Sequence, residues 1–346
     1  MDDMNASSSM PNQPPCHNCG NPDTQPGYVT PLCKECRKQF SRYPVLNSVK
    51  WGAAVVALLF LISGYNLPKY FKAGVTYERA LKAEKTHHYI TEKKLLAQVL
   101  QEFPNHFEAG AHYLMAAIRS DDVAEADSML TLMSDKQSDN KQLIDEVNEA
   151  AAVFQYYNFS DTAFATSISQ IAEDEPEYDQ QLEKYCASHS GDACAAFMLA
   201  RSAFNHENYG RADSLFNKLI SSKPDFRIAY VWLANTYREE KKYDAALKLC
   251  EKMLEENAES HYALAAMAKT MLKQKRDKEA LQKAAAAYEL NPDSEASIYA
   301  LAIADHFNNR LKERDQLFTK MKTLPNADTA AIAEMTDIFS GKISYR

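Results

Sequence analysis

The sequence predicts an all-α protein: an array of paired helices, preceded by one membrane-crossing helix and a small metal-binding module. Three observations carry this. Glycine is scarce, nine in 346 residues, in a chain rich in the Ala, Leu and Lys that favour helices. Small and apolar residues recur at a constant step of 34 through the C-terminal half. One stretch, residues 51–68, is long, apolar and uncharged. The composition, 46% hydrophobic and 25% charged, is that of a folded chain.

The first fifteen residues, MDDMNASSSMPNQPP, are polar and rich in Ser and Pro. They lack the positive-then-apolar order of a cleavable signal, and residues 1–15 are expected to be a disordered tail. Next come two Cys-x-x-Cys pairs, Cys16/Cys19 and Cys33/Cys36. Two such knuckles suit one tetrahedral metal with sulfur bonds of about 2.3 Å. Gly20 follows the first pair, where a knuckle turn favours positive φ. Arg37 holds the matching place in the second. The intervening loop, punctuated by Pro22, Pro26, Gly27 and Pro31, suits short strands and turns. This segment resembles a short zinc ribbon over residues 16–43. The resemblance implies Cys16, Cys19, Cys33 and Cys36 as ligands of a structural Zn2+, whose binding would supply the folding energy. His17 as a substitute ligand, or two disulfides in an oxidising compartment, are the alternatives.

Residues 49–68 are expected to cross a membrane. Their uncharged core is near the minimum length for a span, Trp51 and Tyr65 suit the two interfaces, and Lys50 and Lys69 flank it and can snorkel. Arg37, Lys38, Arg42 and Lys50 before the span balance Lys69, Lys72, Arg79 and Lys82 after it, so loop charge gives no orientation. Reduced zinc-binding thiols suit the cytosol. That would place the N-terminus inside and the bulk of the chain outside, in a single-pass membrane protein; the resemblance of the whole architecture to known proteins implies a bacterial inner membrane. Cys186 and Cys194 could then pair, although buried core thiols are the simpler expectation.

Beyond the span, Ala212, Ala246 and Ala280 lie 34 residues apart. Around them recur Leu199, Leu233 and Met267, then Ala200, Ala234 and Ala268, with Pro224 and Pro292 at unit exits. The length and pattern resemble the tetratricopeptide repeat, a helix–turn–helix unit whose neighbours stack into a superhelical core. Units are read at 193–226, 227–260, 261–294 and 295–326, the last with Arg314 at the small position. Residues 70–140 read as degenerate repeats, 141–192 as a helical connector without register, and 327–346 as a capping segment. In such repeats the first helix lines a concave face, with its fifth, ninth and twelfth positions inward. Arg201, Asn235 and Lys269 are ninth, Arg238 is twelfth and Lys273 thirteenth, beside Phe197, Val231 and Tyr299. The resemblance to carboxylate-clamp repeats implies a protein or peptide partner, acidic in character, gripped by charge-assisted bonds. A merely solvated basic face is the alternative.

No catalytic motif is present, so no enzyme activity is expected. Cys186, His189 and Asp192 read as a helix end before the next unit, and adjacent His87 and His88 face different ways. Residues 1–69 hold six Lys/Arg against four Asp/Glu, net +2, and the rest 33 against 43, net −10. An acidic body argues against nucleic acid as a partner. The expected function is a membrane-anchored scaffold. A zinc- or redox-responsive regulator, or an accessory subunit of an envelope enzyme complex, are the other candidates.

Overall fold

A computed structural model describes residues 13–41, 45–134, 136, 138–325 and 327–346. Residues 1–12 of the expected tail, and residues 42–44 at the end of the cysteine module, lie outside these. The chain divides into two compact units, Met1–Tyr70 and Phe71–Arg346. No strand occurs among the described residues.

In the first unit, α1 (Lys34–Ser41) follows the second knuckle. This corrects the expectation of strands around the cysteines. Arg37 departs from the Gly20 pattern for the same reason: it lies inside a helix, donating its backbone N–H to the Cys33 carbonyl at 2.9 Å. Gly20 adopts φ +73°, as the first knuckle requires. α2 (Asn47–Lys85) contains the apolar stretch. Its most apolar 18-residue window has no buried residue, and Trp51, Leu59, Phe60 and Leu61 are all exposed. Pro68 sits within this helix, where it removes one backbone donor.

In the second unit the helices pair. The end of α2 packs beside α3 (Tyr89–Glu102), and α4 (Phe107–Arg119) pairs with α5 (Val123–Met133). Then follow α6 (Lys141–Ala151), a 3-10 turn (Ala152–Tyr157), α7 (Thr162–Ile168) and α8 (Pro176–Ser188). The regular hairpins are α9 (Ala193–Asn205) with α10 (Tyr209–Ser222), and α11 (Arg227–Glu239) with α12 (Tyr243–Glu256). Next come α13 (His261–Lys273) with α14 (Asp277–Leu290), and α15 (Glu295–Phe307) with α16 (Leu311–Lys322). α17 (Thr329–Phe339) ends the array.

One backbone device makes these hairpins alike. His87, Asp121, Glu207, Lys241, Lys275 and Asn309 all have φ between 58° and 63°. Within each group they are 34 residues apart. Each ends the first helix of a hairpin in a left-handed cap. The following N–H reaches back to a carbonyl five residues earlier, as Lys242 does to Tyr237 at 2.8 Å and Asn208 to Ala203 at 2.8 Å. This is the Schellman closure, built here without glycine. The same cap at His87 and Asp121 makes the first two hairpins repeats of the same kind, despite their weak sequence pattern.

Asp121 and Glu207 are 86 residues apart, two repeats plus eighteen. The connector is therefore only partly out of register. Thirty-four residues before the buried Ala212, Phe216 and Leu219 stand Tyr178, Leu182 and Tyr185, all buried on α8. Residues 159–192 form a shortened unit in phase with the later ones. Only α6 and the 3-10 turn interrupt the period. The signal was hidden because Tyr178 replaces the small residue that marks four of the other units.

Ala126, Ala212, Ala246 and Ala280 are fully buried. A methyl group there lets the two helices of a hairpin cross closely. The largest buried cluster spans α11 to α17 and ends on Met335, Ile338 and Tyr345. Residues of the segment after 326 thus pack against this cluster, and Tyr345 is buried with it. The loop after α12 meets the first two hairpins across a long sequence interval. Ala258 donates its N–H to the His87 carbonyl at 2.9 Å, and Asn257 donates its side-chain amide to the Arg119 carbonyl at 3.2 Å. Glu259 accepts from the Thr91 N–H at 2.7 Å and the Thr91 hydroxyl at 2.5 Å.

Candidate functional site

The cysteine module has almost no apolar core, only Cys16, Cys33, Cys36 and the half-buried Leu32. Its fold rests on backbone turns aimed at the thiols. Gly20 N–H closes on the Cys16 carbonyl at 2.8 Å, and His17 N–H reaches the Pro31 carbonyl at 3.0 Å, tying one knuckle to the other. The Arg37 guanidinium lies 3.5 Å over the Tyr28 ring and donates to the Thr30 carbonyl at 2.9 Å. As a result the four Sγ atoms lie within 4.8 Å of one another. Cys19 and Cys33 Sγ are 3.6 Å apart. Two sulfurs bonded to one zinc at about 2.3 Å would stand about 3.8 Å apart, whereas a disulfide needs about 2.05 Å. Cys36 Sγ also accepts from the Asn18 amide at 3.3 Å, and Cys33 Sγ from the Cys36 N–H at 3.5 Å. Donors to sulfur of this kind stabilise thiolates. The donor set therefore fits a zinc ion, with His17 exposed and outside the cluster.

The second candidate is a cleft of about 420 Å³ on the first helices of the later repeats. Asn235, Arg238 and Lys269 line it together with Trp232, Tyr299 and Glu334. The 34-residue step brings Asn235 and Lys269 to one wall. Arg238 donates to Asn235 Oδ1 at 2.5 Å and to Glu239 Oε1 at 2.8 Å. Burial, then the neighbouring Arg238 charge, pulls the Lys269 amine down to about 7. Its Nζ stands 5.8 Å from the centre of the Tyr299 ring. Lys273 pairs with Glu239 at 3.4 Å and lies 4.6 Å over Tyr345. Arg201 is not in this cleft. It is paired with Glu173, upstream of α8.

Sequence reasoning missed what closes the cleft. Tyr345, Glu334 and Ala331, from α17 and the residues after it, form part of its lining. Arg346 lies 4.0 Å over Phe307 and pairs with Asp277. The chain's own C-terminus thus occupies part of the concave side. Nothing in the 34-residue pattern marks it, because residues 327–346 have no counterpart one repeat away. The aromatic Tyr345, set among charged neighbours, was the available signal.

The remaining candidates have structural roles. Asp192 caps α9 through the Ala195 N–H at 2.9 Å and accepts from Ser160 and Tyr185. Burial raises its carboxyl, but these bonds win and hold it below its usual range. Cys186, Cys194 and Cys250 are free thiols, and burial pushes them up to about 11, 11 and 12. His87 Nδ1 pairs with the Glu255 carbonyl, whereas His88 Nδ1 pairs with Thr86, so the two face apart as expected.

Paired helices with a constant 34-residue step and a lined concave side define a helical-repeat interaction scaffold. The type of repeat comes from comparison: the tetratricopeptide repeat family model matches residues 197–261. Among solved structures the chain is similar to MamA 41-end from Desulfovibrio magneticus RS-1, at 12% identity and TM-score 0.35, covering 53% of this chain and 94% of that one. It is also similar to the human IFIT1 dimer with PPP-AAAA, at 16% identity and TM-score 0.38, covering 77% of this chain and 52% of that one. No curated protein matches the sequence.

Proposed function

We propose that the chain is a membrane-anchored tetratricopeptide scaffold without catalytic activity, which holds an acidic protein segment in its concave cleft. The observation that carries this reading is the meeting of Asn235, Arg238 and Lys269 with the aromatic walls Trp232 and Tyr299. Such a lining offers hydrogen bonds and positive charge to a carboxylate, and apolar area to the side chain beside it. Lys273, next to Tyr345, adds a cation at the rim. Arg201, bound to Glu173, serves the partner only if that pair opens.

The exposed apolar face of α2 is the membrane anchor, long enough at about 1.5 Å per residue to cross a bilayer about 30 Å thick. Cys16, Cys19, Cys33 and Cys36 hold a structural Zn2+, which supplies the folding energy that this small module cannot draw from a core. In the proposed topology the zinc module faces a reducing cytoplasm and the repeats lie across the inner membrane.

The test uses full-length protein in nanodiscs and fluorescent peptides ending in an acidic residue with a free carboxylate. Lys269→Met and Arg238→Gln should each weaken binding at least about tenfold, and amidation of the peptide terminus should do the same. Equal binding by wild type and the double variant would refute the cleft as the site.

A further inference from the structure

In the common register Glu92, Tyr178 and Arg314 break the small-residue pattern, and of these Glu92 is the fully buried charge. The crossing position occupied by Ala126, Ala212, Ala246 and Ala280 is filled in the first hairpin by Glu92, 34 residues before Ala126. Like those alanines, Glu92 is 0% exposed. Neither of its carboxylate oxygens has a hydrogen-bond partner. A buried acceptor without a donor is costly, and a buried charge without a counter-charge more so. Methyl groups serve four other hairpins at this point, and Tyr178 and the half-buried Arg314 fill it in two more, so packing alone does not call for a fully buried carboxylate.

Its surroundings supply a reason. Glu84, from the last turn of α2, and His112, from α4, converge on the same point. One ligand atom from each of Glu84, Glu92 and His112 lies within 4.8 Å of the others. Glu84 is held from outside, with Oε1 accepting from Arg119 Nη1 at 2.6 Å. Its Oε2 is 3.1 Å from His112 Nδ1, but off the hydrogen-bonding direction, so that Nδ1 too is left without a partner. Two carboxylates thus share one guanidinium and one imidazole, and both oxygens of Glu92 are left without a hydrogen bond.

We infer that Glu84, Glu92 and His112 form a binding site for a divalent transition-metal ion, which ties α2, α3 and α4 together. Two carboxylate oxygens and one imidazole nitrogen suit such ions, Zn2+ among them. Arg119 would orient Glu84 from behind, as hydrogen-bonded partners of metal ligands do. Ligand atoms on a tetrahedral ion with bonds of about 2.1 Å stand about 3.4 Å apart. Closing the site from the separations seen therefore needs movements that side-chain torsions can supply. The ion would stand where four of the other hairpins place a methyl group, and the charge it brings answers the one that Glu92 brings. This site is independent of the cysteine module in ligands, donor type and position.

The experiment is metal counting on full-length protein in detergent, stripped with chelator and re-equilibrated with Zn2+, for wild type, Glu92→Gln and a variant with all four module cysteines changed to Ser. The near-isosteric Gln keeps the side chain's shape. Wild type should bind one more equivalent than Glu92→Gln. The cysteine variant should retain one equivalent that a further Glu92→Gln change abolishes, with affinity falling at least about 100-fold. Co2+ provides a second readout, since thiolate-to-cobalt charge-transfer absorption reports only the cysteine module. Glu92→Gln should leave those bands intact while removing one cobalt equivalent. Equal metal content with and without Glu92→Gln would overturn the inference. So would a Glu92→Gln protein of raised melting temperature whose parent takes up no metal beyond the thiolate site, because Glu92 would then be a buried, protonated acid. Loss of the thiolate bands alone would count against the cysteine site and not against this one.

Discussion

Glu259 offers the sharpest test of how the second unit closes on itself. It stands in the loop between α12 and α13, 168 residues from Thr91, yet its two carboxylate oxygens accept both the Thr91 N–H and the Thr91 hydroxyl, at 2.7 and 2.5 Å. The Thr91 N–H belongs to the first turn of α3, where backbone donors lack intrahelical partners. Glu259 is only 9% exposed, so water replaces it poorly. Hydrogen bonds to a charged group contribute about 1.5–3 kcal/mol each, and the freed N–H recovers part of this from solvent. Glu259→Ala should therefore cost about 2–3 kcal/mol, felt first where the first hairpin meets the loop after α12. At about 1.4 kcal/mol per tenfold change, amides of residues 89–102 should exchange roughly 30- to 150-fold faster in hydrogen-exchange mass spectrometry. Glu259→Gln keeps one acceptor and should show about half the free-energy effect. A double-mutant cycle with Thr91→Ala isolates the hydroxyl contact, with an expected coupling of about 1–2 kcal/mol. Exchange changed less than about threefold, with coupling below about 0.5 kcal/mol, would refute the view that this contact joins the first hairpin to the loop after α12.

Four further outcomes are expected. Phe216→Ala empties a fully buried ring site and should cost about 3–5 kcal/mol in denaturant unfolding. Lys241→Gly and Lys275→Gly relieve left-handed backbone at exposed caps and should each raise stability by about 0.5–1 kcal/mol, where loss of stability would contradict the cap assignment. His261 is buried with neither ring nitrogen partnered, and burial lowers its pKa to about 4. Its folded pKa lies below its unfolded one, so the unfolded chain binds the extra proton and stability drains as pH falls from about 6.5 to about 4. His261→Gln should remove roughly 2–3 kcal/mol of that loss, read as the wild-type-minus-variant difference in melting curves across the window. Deleting residues 342–346 takes Tyr345 out of the cleft, and should strengthen acidic-peptide binding if the C-terminus competes for the same wall. Unchanged affinity would show that Tyr345 only packs.

Much of this protein was legible from residue spacing. The 34-residue step of the later helices, the burial of Ala212, Ala246 and Ala280 and the convergence of the four cysteines come from local rules: helical period, close crossing and ligand geometry. These depend on neighbours at most a few tens of residues away. The in-phase unit at 159–192 escaped because Tyr178 takes the place of a small residue, and α7 is too short to show a helical pattern. The helix after Cys33 escaped because a proline-rich knuckle loop says little about the conformation of the segment beyond it.

Other features depended on distance in sequence. No pattern predicts that Glu259 meets Thr91, that Tyr345 lies against Lys273, or that Glu84 and His112 flank Glu92. A helical period says which face a side chain takes, and a repeat length says which neighbour comes next. Neither says where a superhelix brings remote turns together. The sequence by itself determined the repeats, the apolar helix and the thiol cluster, because each is specified by short-range periodicity or spacing. The tertiary structure alone decided which polar groups were buried without partners and which basic residues shared a cleft, because burial is a property of the packed array and not of any one repeat.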